Sequence, residues 1–155
     1  MNTPLTPSYK AYSGTTIRPE KPQAEISKEL TKYGIWNIQH TTIEAGFSVA
    51  FQAVVSDNQK PITIRIDMPY DHSKDYEDRI GWVEQRRLYR ALYWYVKSLL
   101  EAWDSGVKTF AEIFLPHIVL PGGKTVTQDL LPKYALAVES GQMDDIKLLP
   151  GAEGQ

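Results

Sequence analysis

The segment from Asp78 to Trp103 constrains this chain most. At about 100° per residue, Leu88, Leu92, Tyr95, Val96, Leu99 and Trp103 fall on one side of a single long helix, as a core-facing stripe should. Nearly opposite run Arg79, Arg86, Arg90 and Lys97, with Tyr93 and Trp94 beside them. A helix with such a stripe needs a second layer to bury it.

The sequence supplies that layer. Phe47, Val49, Phe51, Ala53 and Val55 alternate with polar or small residues, and Ile62, Ile64, Ile66 and Met68 alternate with Thr63, Arg65 and Asp67. Ser56-Asp57-Asn58-Gln59 reads as the turn between them, and Ile35 to His40 as a first strand. The expected fold is α+β: an antiparallel meander of two or three strands packed on one long amphipathic helix. The outer sheet face would show Ser48, Gln52, Thr63 and Arg65, and so be polar and nearly uncharged.

Shorter elements complete the chain. Ala24 to Tyr33 reads as a helix stopped by Gly34, and Gly106 stops the long one. Val107 to Leu115 is expected to be helical up to Pro116. Ile118-Val119-Leu120 and Lys124-Thr125-Val126 flank Pro121-Gly122-Gly123 as a small hairpin, with a helical turn or two around Leu130, Leu131 and Tyr134. Residues 1–22 carry Pro4, Pro7, Pro19 and Pro22 and form an arm, residues 23–149 one domain, and residues 150–155 a frayed end. Tyr9, Tyr12 and Ile17 give the arm apolar groups with which to pack on its own domain or reach a partner.

Composition removes several functions. There are no cysteines, which excludes a disulfide scaffold, a thiolate metal site and a cysteine nucleophile. The formal net charge of −2 argues against a general nucleic-acid coat protein, although a local basic patch remains compatible with it. No apolar run approaches the roughly 18 residues that span a bilayer, so the expectation is a soluble, cytoplasmic protein with no membrane partner.

Gly122-Gly123-Lys124-Thr125 imitates the end of a phosphate loop. Ile118 stands where the motif needs its first glycine, and Pro121 would remove a cradling amide, so a hairpin turn is the better reading. Asp67, Asp71, His72, Asp75, Glu77 and Asp78 form an acidic stretch without any ligand spacing; acids there suit the start of a helix. His40, His72 and His117 are scattered, and no serine lies in a nucleophile elbow. The sequence calls for no cofactor, no metal and no catalysis, with a metal-dependent nuclease using Asp67, Asp71 and His72 a distant third reading.

The order of Lys32-Tyr33-Gly34, a strand ending in Met68-Pro69, Gln85-Arg86-Arg87-Leu88-Tyr89-Arg90, Trp103, Phe114-Leu115-Pro116, Gly122-Gly123-Lys124-Thr125 and Leu148-Leu149-Pro150 resembles small proteins of bacterial phages and mobile elements. The resemblance implies an accessory role and transfers no functional residue.

The site expected from these observations is the helix face of Arg79, Arg86, Arg90, Tyr93, Trp94 and Lys97. Arginines could pair with phosphates while Trp94 and Tyr93 stack on the bases of a single strand. The same residue types anchor protein–protein contacts, in a homodimer or on a host protein. A third reading covers the face from within the chain, with Glu84 and Glu101 pairing with its cations.

Overall fold

A computed structural model describes residues 3–56, 60–76 and 78–141, and all of their side chains except those of residues 76 and 78–82. Asp57, Asn58 and Gln59 of the expected turn, the Leu148-Leu149-Pro150 segment and the C-terminal residues 150–155 lie outside the described residues. In chain order the elements are α1 (Glu20–Thr31), β1 (Ile38–Ile43), β2 (Gly46–Ala53), β3 (Ile62–Pro69), α2 (Asp78–Asp104), α3 (Phe110–Phe114) and α4 (Val126–Glu139). Single 3₁₀ turns occupy His72–Tyr76 and Leu115–His117. The chain is α+β.

The sheet is an antiparallel meander in the order β1-β2-β3. Its register puts Phe51 between Ile38 and Ile64, Val49 between His40 and Ile66, and Phe47 between Thr42 and Met68. Because side chains alternate across a strand, these rows share the core face. Gly46 opens β2 at a φ of 146°, and a Cβ there would lie 2.1 Å from the Met68 carbonyl oxygen. Only glycine lets β2 approach β3 this closely after the short β1–β2 turn.

The first strand starts at Ile38 instead of Ile35. Ile35 belongs to the end of α1: its N–H donates to the Leu30 carbonyl at 3.2 Å, and its side chain enters the core. That is the apolar contact which accompanies a glycine-stopped helix. At its other end α1 begins at Glu20, four residues before the expected Ala24. Pro22 sits in the first turn, where its missing N–H would have had no helical partner anyway.

One core joins the layers. Ile26 and Leu30 of α1, Tyr89, Leu92, Val96 and Leu100 of α2, and Phe110 and Phe114 of α3 close over Val49, Phe51, Ile64 and Ile66. Phe47 packs on Tyr89 with ring centroids 5.1 Å apart, and Phe51 meets Phe114 edge-on at 6.0 Å. Each such side chain removed from water contributes about 1.5–3 kcal/mol.

The buried line on α2 differs from the expected stripe. Leu92 and Val96 are buried, Leu88, Leu99 and Trp103 are only partly so, and Tyr95 is exposed. The buried centre runs instead through Tyr89, Val96 and Leu100, a rotation of roughly 50° at helical geometry. The cause is that α2 is packed by α1 as well as by the sheet, so the two contacts together choose the face. The cationic line therefore lies on the flank of the core, beside α1, and not opposite it.

Three further expectations are corrected. The helix expected over Val107 to Leu115 shrinks to Phe110–Phe114, because Thr109 caps it by accepting the Glu112 N–H at 3.2 Å. The expected C-terminal hairpin takes a minimal form: Val119 bridges Thr125, the Leu120 N–H donates to the Lys124 carbonyl and the Val126 N–H to the Ile118 carbonyl, and the second strand ends there because Thr125 is already the N-cap of α4. The outer sheet face is not open and uncharged: Ser48 is buried, and an Arg65–Asp67 ion pair at 3.1 Å crosses it.

Candidate interaction surface

The basic-aromatic face of α2 divides into paired and open parts. Arg90 donates to Glu25 of α1 at 2.6 Å, so the helix–helix contact neutralises it. Arg86 is half-buried, and its Nε has no hydrogen-bond partner among the described residues. Lys97 approaches Glu101 at 3.9 Å, a long and weak pairing. The side chain of Arg79 lies outside the described ones. Glu84, expected beside the stripe, instead holds Arg87 at 2.6 Å.

The aromatics are less committed. Tyr93 is partly buried, with the Arg90 guanidinium 5.1 Å from its ring centre. Trp94 is 43% exposed, and the Lys97 ammonium lies 5.2 Å from its ring. Trp94 and Tyr93 meet edge-on at 5.2 Å. The result is an exposed indole supported by one cation, next to an Arg90 that the protein has already paired. On the far side of α2, Arg87 is buried and its guanidinium lies 5.7 Å from the ring of Tyr9, so the arm touches its own domain there.

Sequence reasoning missed a second surface. A groove of about 600 Å³ opens between the end of α1, the far ends of β2 and β3 and the end of α2. Tyr33, Ile35, Trp103 and Phe110 line it, and Trp36, Val54 and Val55 form its rim. Trp36 is 77% exposed and Val54 66%. A contiguous apolar rim of this kind marks a contact site more strongly than scattered exposed residues do. Trp36 and the valines were visible in the sequence, but their meeting depends on the α1–β1 connection reaching the end of β2.

A third apolar surface is α4. The chain anchors its start firmly: Arg65 donates to Asp67, to the Gly123 carbonyl at 2.9 Å and to Gln128 Oε1 at 2.9 Å, while Thr125 and Gln128 form a capping box. Beyond that anchor no residue of the helix is buried. Leu130, Leu131, Tyr134, Leu136 and Val138 are all between 45% and 66% exposed.

The groups singled out as possible catalytic or metal-binding residues have structural roles. Asp67 pairs with Arg65, and Asp71 accepts from the Ser73 N–H and hydroxyl. His72 faces the carbonyl oxygens of Ile43 and Gly46 with Nε2 and Asp75 with Nδ1. With acceptors on both sides, led by the Ile43 carbonyl, its pKa rises above the ordinary histidine value. His40 meets Ser27, and His117 meets the Tyr95 hydroxyl; burial lowers the pKa of both. Among the described residues no three His, Asp or Glu side chains converge as a metal site, and no helix is long and apolar enough to cross a membrane.

Comparison with protein-family models, curated proteins and solved structures finds no match. Function therefore rests on the surfaces alone.

Proposed function

We propose that this chain works by binding another protein and carries out no chemistry of its own. The observation that carries this reading is the groove rimmed by Trp36, Val54 and Val55, which leaves large apolar side chains open to water at one end of the fold. Exposed tryptophans over apolar floors are the residues that anchor protein interfaces. The partner is a protein that presents an apolar segment to the groove. In this reading α2 is the long amphipathic helix on which the meander packs, and it adds Trp94 as a second contact point. The resemblance carried by Lys32-Tyr33-Gly34 and Gln85 to Arg90 supports a proposed role as an accessory protein of a phage or mobile element, working in the host cytoplasm.

A single-stranded nucleic acid is the second reading, favoured by Trp94 and Lys97 lying together on the open part of α2. The Arg90–Glu25 pair weighs against it, because a phosphate would have to displace a carboxylate at 2.6 Å.

Site-specific photo-cross-linking in the source cell tests the choice. A photoreactive residue at Trp36 or Trp94 is expected to form an adduct with a discrete protein, and one at exposed Thr41 on the sheet edge none. Adducts with nucleic acid alone, or no adduct above the Thr41 control, would overturn the protein reading.

A further inference from the structure

The ridge of α4 contributes no lining residue to the groove, and its large apolar side chains are exposed. At helical geometry Val126, Leu130, Leu131, Tyr134, Ala137 and Val138 share one side spanning about 140°. Pro132 lies on the opposite side, so the hydrogen bond it removes does not disturb this face. The ridge leaves on the order of 500 Å² of large, half-open side chains per chain, and two such ridges together reach the roughly 1,000 Å² at which a specific contact becomes possible.

Charge identifies the occupant. One edge of the apolar face carries Asp129 and Lys133, one turn apart and 3.0 Å from each other. In a two-fold pairing, the same edge of each helix meets its counterpart running the other way. Asp129 of one copy then faces Lys133 of the other, twice, and the two Leu131 residues meet on the opposite edge. An edge bearing one acid and one base in this order is complementary to itself when antiparallel, whereas a parallel two-fold pairing would set that edge against the Leu131 edge of the partner and offer its charges no counterpart.

We propose that α4 is a self-association helix, pairing antiparallel with α4 of a second copy about a two-fold axis near Leu131. The Arg65 strap fixes the root of the helix to the sheet, so each copy presents the ridge in one orientation.

Because the chain lacks cysteine, disulfide trapping of the full-length protein tests this directly. Leu131→Cys is expected to cross-link to itself under mild oxidation. Val138→Cys is not, because seven residues from the axis on each chain separate the two thiols by about 21 Å along the helices, far beyond the 7 Å Cα limit for a disulfide. Light scattering of the unmodified chain at tens of micromolar should give twice the chain mass, and Tyr134→Glu should return it to one. Tyr134 is exposed within a single copy, so unchanged circular dichroism will separate lost pairing from lost folding. A monomer at that concentration overturns the proposal. So does cross-linking at both cysteines, which means parallel helices, or a dimer that Tyr134→Glu leaves intact, which places the contact elsewhere. None of these outcomes affects the groove reading.

Discussion

Two helices of this protein treat similar apolar content in opposite ways. α2 buries Tyr89, Leu92, Val96 and Leu100 and ties its cationic flank to α1 through Arg90 and Glu25. α4 carries Leu130, Leu131, Tyr134 and Val138 and buries none of them. Both have a stripe at helical spacing, so periodicity does not explain the difference. α2 has neighbours on two sides within its own chain, whereas among the described residues α4 is held at its first turn, by Arg65, Gln128, the Thr125 cap and the Thr127 hydroxyl on the Pro116 carbonyl. An apolar helix face shows that something is to be buried; the elements around it decide whether the burial occurs within one chain.

Truncation at the two ends of this comparison should give the largest contrast. Phe51→Ala, in the middle of the core, is expected to cost about 3–5 kcal/mol in urea unfolding. Tyr134→Ala, measured at a concentration where the chain is monomeric, should stay within about 0.5 kcal/mol of the parent. A large loss from Tyr134→Ala would mean that α4 is covered within its own chain, and the contrast would fail.

The flank of α2 gives the next effect. Arg90→Ala should cost about 1–2 kcal/mol, since it removes a hydrogen bond between charged groups that are both mostly covered. A double-mutant cycle with Glu25→Ala should return a coupling of about 1 kcal/mol. Zero coupling would show that Arg90 is free in solution, and the nucleic-acid reading of the stripe would gain accordingly.

Much of the sheet was legible in the sequence, because strict alternation over Phe47 to Ala53 and over Ile62 to Met68 has a single structural meaning. β1 was displaced by three residues because Thr41 and Thr42, on an edge strand, carry no apolar alternation to mark it. The stripe on α2 was read about half a helical step away from its true centre, because sequence periodicity cannot weigh the pull of α1 against that of the sheet. The candidate site suffered most. Glu25 and Arg90 are 65 positions apart, so their pairing left no local trace. The groove joins Trp36 to Val54 and Val55 only after β1 and β2 have paired. The helix at α4 was partly visible as a turn or two around Leu130, Leu131 and Tyr134, whereas Thr125, which caps it together with Gln128, reads as a strand residue; its exposure depends on packing that local sequence does not record.

A smaller and opposite pair of effects follows from the histidines. Acceptors around both ring nitrogens raise the His72 pKa above 6.5, so its contribution to stability is full below pH 6.5 and fades as pH rises through the folded value. Burial lowers His40 and His117, whose contributions are present above pH 6.5 and are lost as pH falls through their folded values. Ring-proton titration by NMR should order them accordingly, with His72 above the other two. His72→Asn should lower stability on the acid side of pH 6.5, where the charged ring contributes in full, and flatten the decline on the alkaline side. A His72 that titrates below His117 would mean that the β1–β2 turn carbonyls do not hold it.

The smallest global effect should come from Pro132→Ala, and it separates the helices most sharply. A proline inside a helix is less favourable than alanine by about 3 kcal/mol, because it removes one backbone hydrogen bond and crowds the preceding turn. In α2 such a residue would weaken the whole fold, since that helix and the core form together. None of the described core residues belongs to α4, so the gain from Pro132→Ala should remain local. Urea unfolding of the monomer is expected to change by less than about 0.5 kcal/mol, while amide exchange across Leu131 to Val138 slows by tenfold or more. If the unfolding midpoint instead rises with exchange, α4 is part of the cooperative core. Its apolar face would then have a partner within its own chain, and the ridge would no longer be available to a second copy.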